Sequence, residues 1–144
     1  MKSENPSIAR SKKTRMTTSN SQIDEDRSID PAKTAALLLK SRAVRIEQLR
    51  NVQPDIDDIS WHILLDLKAS MNAEQPVTML DLAFRLNVAN NIMVRYVEYL
   101  IGTELIDKPA DALHKDLVPL KLTASGNALT GDILQKISQE LVNG

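Results

Sequence analysis

Residues 82–100 read Leu82-Ala83-Phe84-Arg85-Leu86-Asn87-Val88-Ala89-Asn90-Asn91-Ile92-Met93-Val94-Arg95-Tyr96-Val97-Glu98-Tyr99-Leu100. Met79, Leu82, Ala83 and Leu86 fall at i, i+3, i+4 and i+7, one face of a short helix. Asn87 then stands where the chain must turn tightly, and asparagine tolerates the left-handed backbone such a turn needs. Met93, Val97 and Leu100 resume the helical spacing in a second helix predicted from about Asn90 to Thr103. Ala83 is small where the two helices would cross, and Val88 would plug the turn into the core. Two helices joined this closely make a helix-turn-helix.

Upstream, Thr78 with Asp81 three residues on predicts a helix cap of the capping-box kind, and Pro76-Val77-Thr78 a very short strand. Asn72 to Pro76 is a polar break. Before it, Asp57 or Asp58 caps a predicted helix from Ser60 to Ser70, with Ile63, Leu64, Leu67 and Met71 as its buried stripe beside Trp61 and Leu65. His62 is expected to be a half-buried packing residue. Asp30-Pro31 opens a longer helix to about Asn51, since Asp caps well and Pro suits the first helical position. Its apolar face carries Leu38, Ile46 and Leu49; its cations, Arg42 and Arg45 among them, are expected to face solvent. Leu80 and Phe84 share an outer face of the short helix and are expected to pack on a neighbouring one.

Downstream, Leu105 to Lys108 reads as a strand, Pro109 to Lys115 as a loop, and Leu117 to Leu122 as an alternating strand. In the latter, Val118, Leu120 and Leu122 face one way. Thr123 caps a last helix with Leu129, Ile133, Ile137 and Leu141 at every fourth position. The order helix, turn, helix, strand, loop, strand predicts a mainly α chain of the α+β kind: a winged helix-turn-helix with a small β wing and long terminal helices.

Composition agrees. The 144 residues are 42% hydrophobic and only 3% aromatic, so the core rests on aliphatic side chains. Four glycines and six prolines are too few for a turn-rich β sandwich. The absence of Cys excludes disulfides and thiolate metal sites. With two histidines in unsuitable spacing, no metal or other cofactor is expected, and no nucleophile or phosphate-loop motif supports an enzyme. No apolar run approaches the length of a membrane span, and no signal-peptide core is visible, so a cytoplasmic protein without a membrane partner is expected.

Residues 1–29 hold too little apolar content to offset ordering entropy and are expected to form a disordered arm, with the winged domain at 30–144. Charge is unevenly spread: Met1 to Asn20 carries five cations against Glu4, whereas from Lys33 onward twelve Lys or Arg face fourteen Asp or Glu.

The stretch from Leu82 to Leu100 resembles the helix-turn-helix of MarR-type transcriptional regulators. Asp58-Ile59-Ser60-Trp61-His62-Ile63-Leu64-Leu65-Asp66-Leu67 looks like the helix that precedes it in some of these proteins. Leu105-Ile106 resembles the start of the wing, and Leu120-Lys121-Leu122-Thr123-Ala124-Ser125-Gly126 is similar to the Leu-Thr-x-x-Gly that leads from wing to final helix. The resemblance covers roughly Pro31 to Val142. It implies a homodimer joined through terminal helices, double-stranded DNA read in the major groove, and often a small-molecule effector. Two features depart from the pattern. The wing region Ala112 to Leu117 lacks arginine, and the second helix opens with Ala89 and Ile92 where Ser and Thr are usual.

On the outward face of the second helix, Asn90 and Asn91 suit adenine, Arg95 suits guanine, and Ile92 or Val94 suits a thymine methyl. Thr78 and the wing residues His114 and Lys115 are further candidates for DNA contact, and Lys12, Lys13 and Arg15 would cover phosphates or enter the minor groove. Leu38, Ile46, Leu49, Leu129, Ile133, Ile137 and Leu141 are the expected dimer interface, since one small domain leaves little core to cover both stripes. A second reading, favoured by the near-neutral charge, the arginine-poor wing and the Leu80/Phe84 face, is a winged-helix protein-interaction module with weak or no DNA binding.

Overall fold

Asp30 accepts the Ala32 amide at 3.0 Å and starts the first helix, α1 (Pro31–Leu49), with Pro31 at its first position. The computed structural model describes residues 30–109 and 117–143. The candidates Lys12, Lys13, Arg15, His114 and Lys115 lie outside the described residues. The chain divides at Leu39 into two units, and the helix-turn-helix belongs to the compact unit Lys40–Gly144.

Four more helices follow: α2 (Asp58–Ala69), α3 (Met79–Leu86), α4 (Asn90–Gly102) and α5 (Ala124–Asn143). Asp57 caps α2 by accepting the Ser60 amide at 2.8 Å. At α3 the capping box is complete: Thr78 accepts the Asp81 amide at 3.2 Å, and the Asp81 carboxylate accepts the Thr78 amide at 2.9 Å. Hydrogen bonding by Thr78 to the Asp81 carboxylate, its amide first, holds that carboxyl below its ordinary value. Thr123 caps α5 by accepting the Gly126 amide at 2.8 Å.

Within the compact unit, α2 packs on α3, α4 and α5, and α3 packs on α4. Ile63, Leu64, Leu82, Met93, Val97 and Leu100 are wholly buried, and Trp61, Leu67, Ile106, Leu120 and Ile133 join them in one aliphatic core. An Arg85–Asp66 ion pair at 2.5 Å ties α3 to α2. Met71, expected in the stripe of α2, is exposed because the helix ends two residues before it.

Strand structure is sparser than expected. Among the described residues it amounts to two isolated antiparallel bridges, Thr78 with Pro119 and Ile106 with Leu122. The Leu120 amide bonds the Val77 carbonyl at 2.8 Å, and the Asp107 amide bonds the Lys121 carbonyl at 2.9 Å. The expected alternation holds: Leu120 is buried and Val118 and Leu122 half-buried, with Leu117, Pro119 and Lys121 exposed. A wing sheet is not formed in these segments. Pro119 donates no hydrogen bond, and each pairing ends after one residue. Glu104, in the left-handed region at φ 64°, turns the chain out of α4. No described helix is long and apolar enough to cross a membrane, and the described residues hold no cluster of metal-ligating side chains.

Candidate nucleic-acid interface

The turn between α3 and α4 sits on Asn87, which is left-handed at φ 54° and ψ 48°. The Val88 amide bonds the Ala83 carbonyl at 2.9 Å, closing α3 while Val88 packs its side chain on the core. Helix α4 then starts at once. Its inner face is Met93, Val97 and Leu100, each 0% exposed. That burial fixes which side of α4 faces out: Asn90, Asn91, Ile92, Arg95 and Glu98 are exposed. Val94 is not with them. It is half-buried against the core, one residue beyond Met93 and three before Val97.

The N-terminus of α4 has no side-chain cap. Ala89 holds the N-cap position in an extended conformation and offers no side-chain acceptor. Free amide groups in a first helical turn carry a partial positive charge and suit an anion such as phosphate. Thr78 stands at the start of α3, but its hydroxyl is engaged in the capping box. Arg95 makes no ion pair among the described residues; with Ile92, Tyr96, Tyr99, Asp55 and Ser60 it lines a cavity of about 460 Å³. The Tyr96 hydroxyl donates to Asp57 Oδ2 at 3.0 Å, and Asp57 as acceptor raises the Tyr96 pKa above its ordinary 10.0. Burial raises that of Tyr99 as well.

Arg45 departs most from expectation. Far from facing solvent, it is 5% exposed and paired with Asp58, which Arg42 also approaches at 3.4 Å. Those guanidinium groups, the Arg45 hydrogen bond first, hold the Asp58 carboxyl below its ordinary 3.8. His62, expected half-buried, is exposed, with Nδ1 2.7 Å from the Asp58 carbonyl. Phe84 does not pack on a neighbouring helix: it is 87% exposed, while Leu80 is half-buried.

The expected interface residues separate into two groups. Leu49, Ile133 and Ile137 are buried within the single chain, so a partner is not needed to cover them. The core is larger than the sequence suggests, because α2 gives α5 an apolar bed. Leu38 is 68% exposed, and Ile46, Leu129 and Leu141 are half-buried.

Helices α2, α3 and α4 with the bridged segments that precede α5 have the order and packing of a winged helix-turn-helix. Among solved structures the chain is similar to RV1404 from Mycobacterium tuberculosis, at 24% identity over 78% of this chain and 76% of that one, with a TM-score of 0.57. It is similar to MepR from Staphylococcus aureus in its DNA complex, at 22% identity over 76% and 82% of the two chains, with a TM-score of 0.55. Apo MarR from Escherichia coli matches at 20% identity over 78% and 82%, with a TM-score of 0.53. No protein-family model and no curated protein matches the sequence. The fold is therefore the mainly helical one of the MarR-type regulators.

Proposed function

We propose that this chain is a sequence-specific DNA-binding transcriptional regulator that acts as a homodimer and lays α4 in the major groove. The observation that carries this is α4 itself. It is anchored from inside by Met93, Val97 and Leu100, is uncapped at its N-terminus, and shows Asn90, Asn91, Ile92 and Arg95 to solvent on its first turns. Side chains near the start of such a helix are the ones that reach base edges. MepR of this fold has been crystallised on DNA and also with ethidium bromide, which supports DNA as the partner and a small-molecule effector as a further one. Exposed Leu38 on α1 supports a second copy as the partner of that helix.

Selection of duplexes from a random pool tests the reading. The protein is expected to enrich one sequence, palindromic in keeping with a two-fold dimer. Arg95→Ala should weaken that duplex by about 1–3 kcal/mol, the worth of one good base contact, with an unchanged melting temperature because the side chain is exposed. Deleting residues 1–20, net +4 in charge, should flatten the slope of log affinity against log salt by roughly two to four and leave the preferred sequence alone. Absence of any enriched sequence would instead favour the protein-interaction module, for which the 87% exposed Phe84 is the supporting observation.

A further inference from the structure

Hydrophobic anchoring holds α4 against the core, but apolar contact is non-directional. Met93, Val97 and Leu100 set which face of the helix is buried, and a directional bond to a neighbouring segment narrows its rotation further. Base reading does not tolerate rotational freedom, since a binding constellation must be held within about 0.5 Å. Among the described residues, one side-chain hydrogen bond ties α4 to another segment: Tyr96 Oη donates to Asp57 Oδ2 at 3.0 Å. The other oxygen of that carboxylate accepts the Ser60 amide at 2.8 Å and so caps α2. A single carboxylate thus bonds both the start of α2 and a side chain of α4. Arg95 is the next residue to Tyr96, and Ile92 lies one turn back.

We propose that Asp57 and Tyr96 are positioning residues for DNA reading, with the α2 cap pinning α4 in the one rotation that brings Asn91, Ile92 and Arg95 to the bases. The proposal rests on the DNA-reading function above. Hydrogen bonds are directional where apolar packing is not, so this bond sets register while the core sets depth.

Three variants test it: Tyr96→Phe, Asp57→Ser and the double variant. Serine keeps an oxygen to cap α2 but leaves none for Tyr96. Affinity is measured at one salt concentration for the duplex that wild type selects and for an unrelated duplex. Each single variant should bind the selected duplex about fivefold more weakly, as for one hydrogen bond, and the unrelated duplex equally well. The double variant should be no weaker than either single one, because both remove the same bond. Equal weakening on both duplexes with a lowered melting temperature marks a merely structural bond and overturns the proposal. So does wild-type discrimination in Tyr96→Phe, which decides alone if Asp57→Ser fails to fold. A wild type that selects no sequence overturns the DNA-reading function itself, a distinguishable result.

Discussion

Gly126 occupies the first turn of α5 and is buried. A Cβ there would overlap the Leu105 carbonyl oxygen and stand 2.9 Å from the carbonyl carbon and 3.2 Å from Cα. The neighbour is backbone, and it is pinned. The Leu105 carbonyl accepts the Thr123 amide at 3.1 Å, and the Leu105 amide donates to the Leu100 carbonyl at 2.9 Å. Gly126→Ala therefore forces the end of α4 away from the start of α5. Overpacking of this kind costs about 3 kcal/mol at the upper end of its usual range. Alanine returns about 1 kcal/mol of helix propensity, which leaves a net loss of about 2 kcal/mol. Gly131, one and a half turns on, is the control: its Cβ would lie 3.6 Å from Lys68 Nζ, an ordinary contact with a flexible side-chain end. Gly131→Ala should gain about 1 kcal/mol. For a domain of this size each kcal/mol is roughly 4 °C. Circular-dichroism melts should therefore show Gly126→Ala about 8 °C below wild type and Gly131→Ala about 4 °C above it. A Gly126→Ala melt at or above wild type would refute the close approach of α5 to Leu105.

Ile133→Asp places a charge at a site 2% exposed within the chain and should abolish folding or remove at least about 4 kcal/mol of stability, whereas Leu38→Asp, at a site 68% exposed, should stay folded and halve the mass seen by light scattering. Asp58→Asn should melt below wild type near neutral pH. Because the folded Asp58 pKa is lowered, its stabilising contribution is present above the unfolded value near 3.8 and is lost as pH falls through the folded value, so the gap between the two melts should narrow as pH falls below 3.8; a gap that stays constant as pH falls below 3.8 would remove the Arg45–Asp58 pair as its cause. Ala89→Ser supplies the missing α4 cap and should raise stability by about 1 kcal/mol while weakening DNA binding about fivefold by occupying an amide left for phosphate; a serine variant that binds DNA as tightly as wild type would show that those amides touch no phosphate.

The helix-turn-helix was legible in the sequence because each of its signals is local. Asn87 announces a left-handed turn by its own chemistry, Thr78 and Asp81 cap α3 within four residues, and Met93, Val97 and Leu100 repeat at the helical period. Arg45 was not legible. Its partner Asp58 lies thirteen residues away across a loop, and nothing in a helix sequence distinguishes a cation that reaches back into the protein from one that reaches water. The α5 stripe fails for a related reason. Spacing says that Leu129, Ile133, Ile137 and Leu141 share a face but not what covers it, and the chain itself covers Ile133 and Ile137. Val94 follows Met93 along the edge of the buried arc, where periodicity separates inside from outside least well. Gly126 reads as helix punctuation in the sequence, and only its distance to Leu105 shows why a side chain does not fit there.

Capping separates α4 from the other helices. Asp30, Asp57, Thr78 and Thr123 each place a side-chain oxygen on the first turn of α1, α2, α3 and α5. Ala89 places nothing on α4. An alanine in that position forgoes about 0.5–2 kcal/mol relative to Ser, Thr, Asp or Asn, and the sequence shows that such residues are freely used at every other helix start. The omission is local, and it falls on the helix whose first turn also shows Asn90, Asn91 and Ile92 to solvent. Stability alone would place serine or threonine there. Binding gives a reason for alanine, since it leaves the first amide donors open to a ligand and keeps the approach to them unobstructed. An anion fits that end of a helix by charge, and the exposed amides and guanidinium beside it suit base edges. The forgone cap and the outward polar face therefore both support the partner proposed above, a nucleic-acid backbone with its bases alongside.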